Sequence, residues 1–156
     1  MKTILTRTNY FLLLTVLALQ GMSLGAKAQD WNQIIKTVAS DRASGDVFGY
    51  SVAISGDYAI VGVYQEDEDI SGSNTLSSAG SAYIFKQTGG VWAQQQKIVA
   101  ADRGAGDNFG LSVAISGDYA IVGAYQEDED VSGSNTLNDA GSVYIFKQTG
   151  GVWAQQ

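Results

Sequence analysis

The sequence contains no cysteine, no histidine and no proline. Without cysteine there is neither a disulfide framework nor a cysteine-linked lipid anchor. Without histidine or cysteine the commonest ligands of zinc, iron and copper are missing. A Ser-His-Asp or Cys-His nucleophilic arrangement is likewise excluded within this chain. Long hydrophobic runs are scarce. The stretch FLLLTVLAL, from Phe11 to Leu19, falls far short of the roughly 20 residues that a membrane-spanning helix needs. It follows Lys2 and Arg7 and precedes Ala26-Lys27-Ala28, an A-x-A cleavage signal. Residues 1–28 therefore read as a secretory signal peptide cut before Gln29, and no transmembrane segment is expected in the remainder. Beyond it no apolar stripe at 3.6-residue spacing announces a helix.

Positive charge is also sparse. Removing Lys2, Arg7 and Lys27 leaves six of the nine basic residues against 16 acidic ones, a net charge of −10. Such a surface argues against nucleic acid and anionic membrane as partners and is compatible with divalent cations.

What the chain does have is repetition. Trp31, Trp92 and Trp153 mark a period of 61, and residues 31–91 laid over 92–152 agree at 47 of 61 positions. Self-similarity at a fixed period means a repeat architecture. Each period reads as β throughout. In YSVAIS (50–55), Tyr50, Val52 and Ile54 share one face. Gly56-Asp57 is a two-residue hairpin signal. YAIVGVY (58–64) is apolar on both faces, as a buried central strand would be. A polar loop of about sixteen residues, 65–80, is long enough to be unusual. SAYIFKQ (81–87), a Gly89-Gly90 turn and the polar VWAQQQKIV (91–99) complete the unit, the last suiting an exposed edge.

Four antiparallel strands joined in this way make a propeller blade. The expected fold is all-β: two copies of a 61-residue blade, forming part of a larger propeller, since blades hide their faces only against neighbours. The expected organisation is a leading strand within 29–40, able to close a ring, then repeats over 41–101 and 102–156. The alternative is a short chain that builds a ring by self-association.

FGYSVAISGDYAIVGVY (48–64), FGLSVAISGDYAIVGAY (109–125) and GSVYIF (141–146) resemble the FG-GAP repeat, the unit of the integrin-α-like propeller and of many secreted bacterial proteins. The resemblance covers essentially all of 31–156. It implies an extracellular or cell-surface propeller used for adhesion or for binding a protein or glycan ligand. It names no ligand, because one fold hosts many functions. Integrin-type repeats often carry a calcium loop between their first two strands. Here that connection is only Gly56-Asp57 or Gly117-Asp118, so that site cannot be carried over.

The acidic run lies between strands two and three instead, as YQEDEDISGSN (64–74) and YQEDEDVSGSN (125–135). Its spacing partly matches a calcium loop, which takes oxygens from positions one, three, five and seven, with glycine at six for the turn. The candidate ligands are Asp67, Asp69, Ser71 and Ser73 in the first copy, and Asp128, Asp130, Ser132 and Ser134 in the second. Position twelve is Ser78 in the first copy and Asp139 in the second, which adds a ligand there. The competing reading is a solvated loop, since two carboxylates about 6 Å apart in water repel by only about 0.7 kcal/mol.

The tryptophans are expected to pack between blades and the Phe-Gly pairs (48–49, 109–110) to mark a close approach of backbones. Asp41-Arg42 and Asp102-Arg103 could pair as repeated salt bridges, and Asp46 and Asp107 look like turn formers. Near-identical repeats argue against a catalytic carboxylate pair, which needs unlike environments. The expected function is a non-catalytic binding or adhesion module with calcium-ordered loops. The alternatives are an appendage of a secreted enzyme and a purely structural surface protein.

Overall fold

The computed structural model describes residues 35–133 and 136–156. The signal peptide, Trp31 and Ser134 lie outside the described residues. Every described element is a strand: β1 (Ser51–Ser55), β2 (Tyr58–Val63), β3 (Ser81–Thr88), β4 (Val91–Ile98), β5 (Phe109–Ser116), β6 (Tyr119–Ala124), β7 (Ser142–Thr149) and β8 (Val152–Gln155). They form two four-stranded antiparallel sheets, ordered β1-β2-β3-β4 and β5-β6-β7-β8. Both tight turns occur where the glycines fall. Gly56 has φ +56, while Gly89 and Gly90 have φ +59 and +85. These values give hairpin turns whose twist matches the strands they join.

The two sheets stack face to face around one core. Ile60, Ala82 and Ile84 of the first blade meet Phe109, Val122 and Phe146 of the second. The Phe-Gly pair sits at the centre of this junction. The ring of Phe109 is fully buried, edge-on to Tyr144 at 5.4 Å and Phe146 at 6.0 Å. Gly110 adopts φ +93, and a Cβ there would stand 2.3 Å from the carbonyl oxygen of Ser81. A Cβ on Gly62 would stand 1.9 Å from the carbonyl oxygen of Gly110. The Ser51 hydroxyl donates to that same carbonyl at 2.7 Å. The blades approach this closely because both backbones lack side chains there.

β4 is the outer strand of its sheet, as expected, but its glutamines cross to the next blade. A bulge between Ile84 and Phe85 leaves Gln95 unpaired in the ladder, and bulges re-aim side chains. Gln95 donates to the Gly151 carbonyl at 2.7 Å, and Gln96 both accepts from Trp153 N and donates to Trp153 O. Of the expected leading strand within 29–40, residues 29–34 lie outside the described residues, and the described part, 35–40, joins no ladder. Ala39 is nonetheless buried against Val61, Val63, Tyr83 and Phe85, and Ser40 N donates to Gln94 Oε1 at 2.9 Å.

Trp153 is buried between the blades, edge-on to Tyr58 at 5.5 Å. Trp92 packs against the cluster around Val63 and Tyr83.

Candidate functional site

The two loops between the second and third strands, 64–80 and 125–141, flank the connection between the blades. Gly106 N, Asn108 N and Phe109 N donate to the carbonyls of Ser77, Ser78 and Ala79 on one side. On the other, Gln126 N donates to the Asp107 carbonyl, and Asn108 Nδ2 donates to Gln126 Oε1 at 2.6 Å. Asp46 and Asp107 are turn formers, as expected: the first accepts from Ala43 N and the second from Gly104 N.

The acidic residues of each run face in different directions. Asp69 turns back on its own loop. Its Oδ1 accepts from Ser71 N (2.8 Å), Ser71 Oγ (2.6 Å) and Ser73 N (3.3 Å), while Oδ2 accepts from Asn74 Nδ2. These donors, the Ser71 hydroxyl foremost, hold its carboxyl well below the usual range. Asp130 accepts from Ser132 N and Oγ at 2.9 and 2.6 Å in the same way. Asp67 Oδ1 accepts from Ser78 N at 2.7 Å, and Asp128 Oδ1 from Asp139 N at 2.6 Å. Ser78 and Asp139 both have positive φ, 52 and 54. Asp139 also accepts from the side chains of Gln126 and Asn138.

A calcium ion requires converging oxygens with lone pairs to spare. In these loops N–H and O–H groups donate to several of the carboxylate oxygens, while Asp67 and Asp128 each accept through Oδ1. Among the described residues no group of three acidic side chains lies close enough to hold a metal. In this arrangement Asp67, Asp69, Ser71, Ser73, Asp128, Asp130, Ser132 and Asp139 take part in hydrogen-bonded braces within their own loops. Ser134 lies outside the described residues.

Arg103 adds a further brace. Its guanidinium donates to the carbonyls of Asp67 (2.8 Å) and Asn74 (3.2 Å) of the first loop. It is thus tied to backbone, and the expected Asp102-Arg103 pair does not form. Asp41 likewise leaves Arg42 and pairs with Lys97 at 3.0 Å.

The residue that sequence reasoning missed is Glu66. It belongs to the same acidic run yet is fully buried. Lys97 Nζ stands 3.2 Å from its Oε1, and the Tyr83 hydroxyl lies 3.0 Å from its Oε2 and 2.8 Å from Asp41 Oδ1. Burial raises the carboxyl of Glu66 despite Lys97. Burial also acts on Asp41, but the hydrogen bonds from Lys97 and Tyr83 prevail and lower it. Burial and the two carboxylates push the Tyr83 phenol well up. The signal was present in the sequence: Glu and Tyr recur 17 residues apart in both copies, at 66 and 83 and at 127 and 144.

In the second blade Tyr144 donates to Glu127 Oε2 at 3.0 Å, but among the described residues no lysine reaches the pair. Asp107 stands close to Glu127 and Asp102. Burial first, then those neighbours, push its carboxyl up to about 6. A cavity of about 570 Å³ opens beside β7, lined by Asp102, Glu129, Tyr144, Ile145 and Gln156.

At the surface, each loop presents an apolar tip: Ile70 in the first, Val131 in the second. No helix among the described residues is long and apolar enough to cross a membrane.

The family model for the FG-GAP repeat matches residues 31–85 and again residues 92–146. No curated protein matches the chain.

Proposed function

Because this chain belongs to the FG-GAP repeat family, a family of propeller-type modules, we propose that it is an extracellular, non-catalytic binding module whose β2–β3 and β6–β7 loops contact a protein or glycan ligand. The observation that carries this reading is the build of the loops. Each is stiffened by its own carboxylates and holds an aliphatic side chain, Ile70 or Val131, out in solvent. Loops held on a rigid sheet scaffold are where binding residues concentrate. A pre-braced loop also loses less entropy on binding. The buried Glu66 and Glu127 are closed off by tyrosine hydroxyls, which supports a structural rather than a catalytic role for them.

The test is retention of the processed chain on a glycan array and on immobilised extracellular-matrix proteins, beside an Ile70→Ser/Val131→Ser double variant. At least one ligand should be retained by the wild type and weakened by about tenfold or more in the variant, the scale of two lost apolar anchors. Retention that ignores both tips, or no retention at all, sinks the reading. Export is checked separately by N-terminal sequencing of protein recovered from the medium. It should start at Gln29, and an intact Met1 on protein that stays inside the cell contradicts it.

A further inference from the structure

The first acidic loop is closed by a small ladder, and the connection into the second blade holds it shut. Glu68 and Thr75 pair as an antiparallel bridge. On either side of them, Leu76 N donates to the Asp67 carbonyl at 2.8 Å and Asp69 N to the Asn74 carbonyl at 3.3 Å. The turn above is closed by Gly72 N on the Asp69 carbonyl at 3.1 Å, with the exposed Ile70 at its corner. The two rungs beneath that turn therefore set where Ile70 stands.

Both rungs are held by one side chain. Arg103 donates through Nη2 to the Asp67 carbonyl and through Nη1 to the Asn74 carbonyl. One carbonyl belongs to the outgoing arm of the loop and the other to the returning arm. A carbonyl oxygen has two lone pairs, so each accepts from the ladder and from Arg103 together. Hydrogen bonds from a charged donor are the strong ones. Among the described residues Arg103 forms no ion pair, and its buried Nε meets no acceptor. The guanidinium is therefore placed by the two loop carbonyls alone.

Arg103 does not belong to the loop. It opens the connection into β5, which is bonded along its length. Gly104 N donates to the Asp107 carboxylate. Gly106 N, Asn108 N and Phe109 N donate to the returning arm at Ser77, Ser78 and Ala79. Gly80 lies so near Phe109 that a Cβ on it would stand 2.0 Å from the Phe109 carbonyl oxygen. The ring of Phe109 is buried between the sheets. One strap thus has Arg103 on the loop at its start and Phe109 in the blade junction at its end.

We propose that Arg103 is the positioning residue of the Ile70 loop, a latch through which the junction between the blades sets the order of that loop. A planar fork spans two carbonyls, whereas an ammonium offers a single point charge. The latch fixes the tip before a ligand arrives, which lowers the ordering cost of binding. Coupling of this kind is reciprocal, so contact at Ile70 also tightens the junction. That last step rests on the binding reading above, and the latch itself does not.

Amide exchange of the chain is followed by NMR at Asp69 and Leu76, with the amides of the β2–β3 ladder as internal reference, since local opening is read residue by residue. Arg103→Gln should speed exchange at both loop amides by about tenfold or more and leave the ladder amides unchanged. Arg103→Lys, which keeps the charge and the aliphatic stem, should resemble Arg103→Gln and not the parent chain. In Arg103→Ala, added ethylguanidinium should restore protection and ethylammonium should not. Phe109→Leu should speed exchange at Asp69 and Leu76 in the parent chain and add little in the Arg103→Gln background. An array glycan or matrix protein whose retention Ile70→Ser weakens should be held about tenfold less tightly by Arg103→Gln. Unchanged exchange at the two loop amides in Arg103→Gln overturns the proposal. So does full protection in Arg103→Lys, and so does a Phe109→Leu effect of equal size with and without Arg103. A ligand held equally well by the loosened loop overturns the positioning role. The exchange readings need no ligand, so failure of the latch and failure of the binding reading are told apart.

Discussion

Among the described residues, Lys97 is the one cation facing these two carboxylates and a phenol, with Glu66 fully buried at its side. Removing it alone leaves an uncompensated buried charge. Lys97→Met should cost about 3–5 kcal/mol in urea unfolding, the usual result of breaking a buried pair. Lys97→Met/Glu66→Gln should recover much of that, because the glutamine still accepts from Tyr83 and carries no charge. A double variant no more stable than the single one would show that Glu66 is not charged there. The second blade sends the pH response the other way. Asp107 titrates near 6, against an ordinary 3.8, because burial and the neighbouring Glu127 and Asp102 disfavour its charge. The folded state therefore binds this proton more tightly than the unfolded state. Its contribution is complete below about pH 4 and is lost as pH rises through about 6. Asp107→Asn keeps an acceptor for Gly104 N and removes the titration. With solvent screening allowed for, it should raise stability at pH 7 by about 1 kcal/mol, roughly 4 °C in Tm. The gain should vanish at pH 4, and an equal gain at both pH values would rule out the proton as its cause. Asp41, held low by Lys97 and Tyr83, works in the opposite sense: its contribution is present above the ordinary carboxylate range and lost in acid.

The strands were legible in the sequence because two independent signals coincide at each of them. Alternation and apolar runs gave the strand, and Gly56-Asp57 or Gly89-Gly90 gave its end; the observed bounds differ by a residue or two. The edge position of β4 was legible, but the crossing of its glutamines to the next blade was not. Whether a glutamine faces water or a neighbouring blade depends on one bulged residue, Gln95, which leaves no mark in the sequence. The loop pattern Asp-x-Asp-x-Ser-Gly is ambiguous for a chemical reason: a carboxylate oxygen accepts a calcium ion or a Ser N–H with the same lone pairs. Geometry alone separates the two, and here the donors are the loop's own. The thermal midpoint should therefore be the same in millimolar calcium and in chelator. Asp69→Ala should lower it and increase proteolytic nicking within 70–75, since four hydrogen bonds end on that side chain. A calcium-dependent rise in the midpoint, abolished by Asp69→Ala, would reinstate the ion.

The two sheets share one core, and the first blade carries a second cluster of its own around Val63, Tyr83 and Phe85. The cluster that buries Phe109 draws Ile60 and Ile84 from one sheet and Val122 and Phe146 from the other. In a linear repeat array stability is a sum of unit terms and nearest-neighbour terms. At the junction between the two described blades, the neighbour term centres on Phe109, Gly110 and Gly62. Trp92, on the far cluster, and Trp153, in the junction, report the two regions separately once Trp31 is replaced by Phe. In the parent chain their urea transitions should coincide, as one cooperative unit requires. Phe109→Ala removes the ring between the sheets and should cost about 3–5 kcal/mol, the range for deleting a buried phenylalanine. It should also part the two transitions, with the Trp153 signal moving first, since the second blade depends on the first to cover Val122 and Phe146. Phe48→Ala, at the same place on a face with no neighbouring sheet among the described residues, should cost less and leave the transitions together. If Phe109→Ala lowers both midpoints equally with an unchanged slope, the blades are joined by more than this core, and the glutamine crossings from β4 to Gly151 and Trp153 become the next bonds to cut.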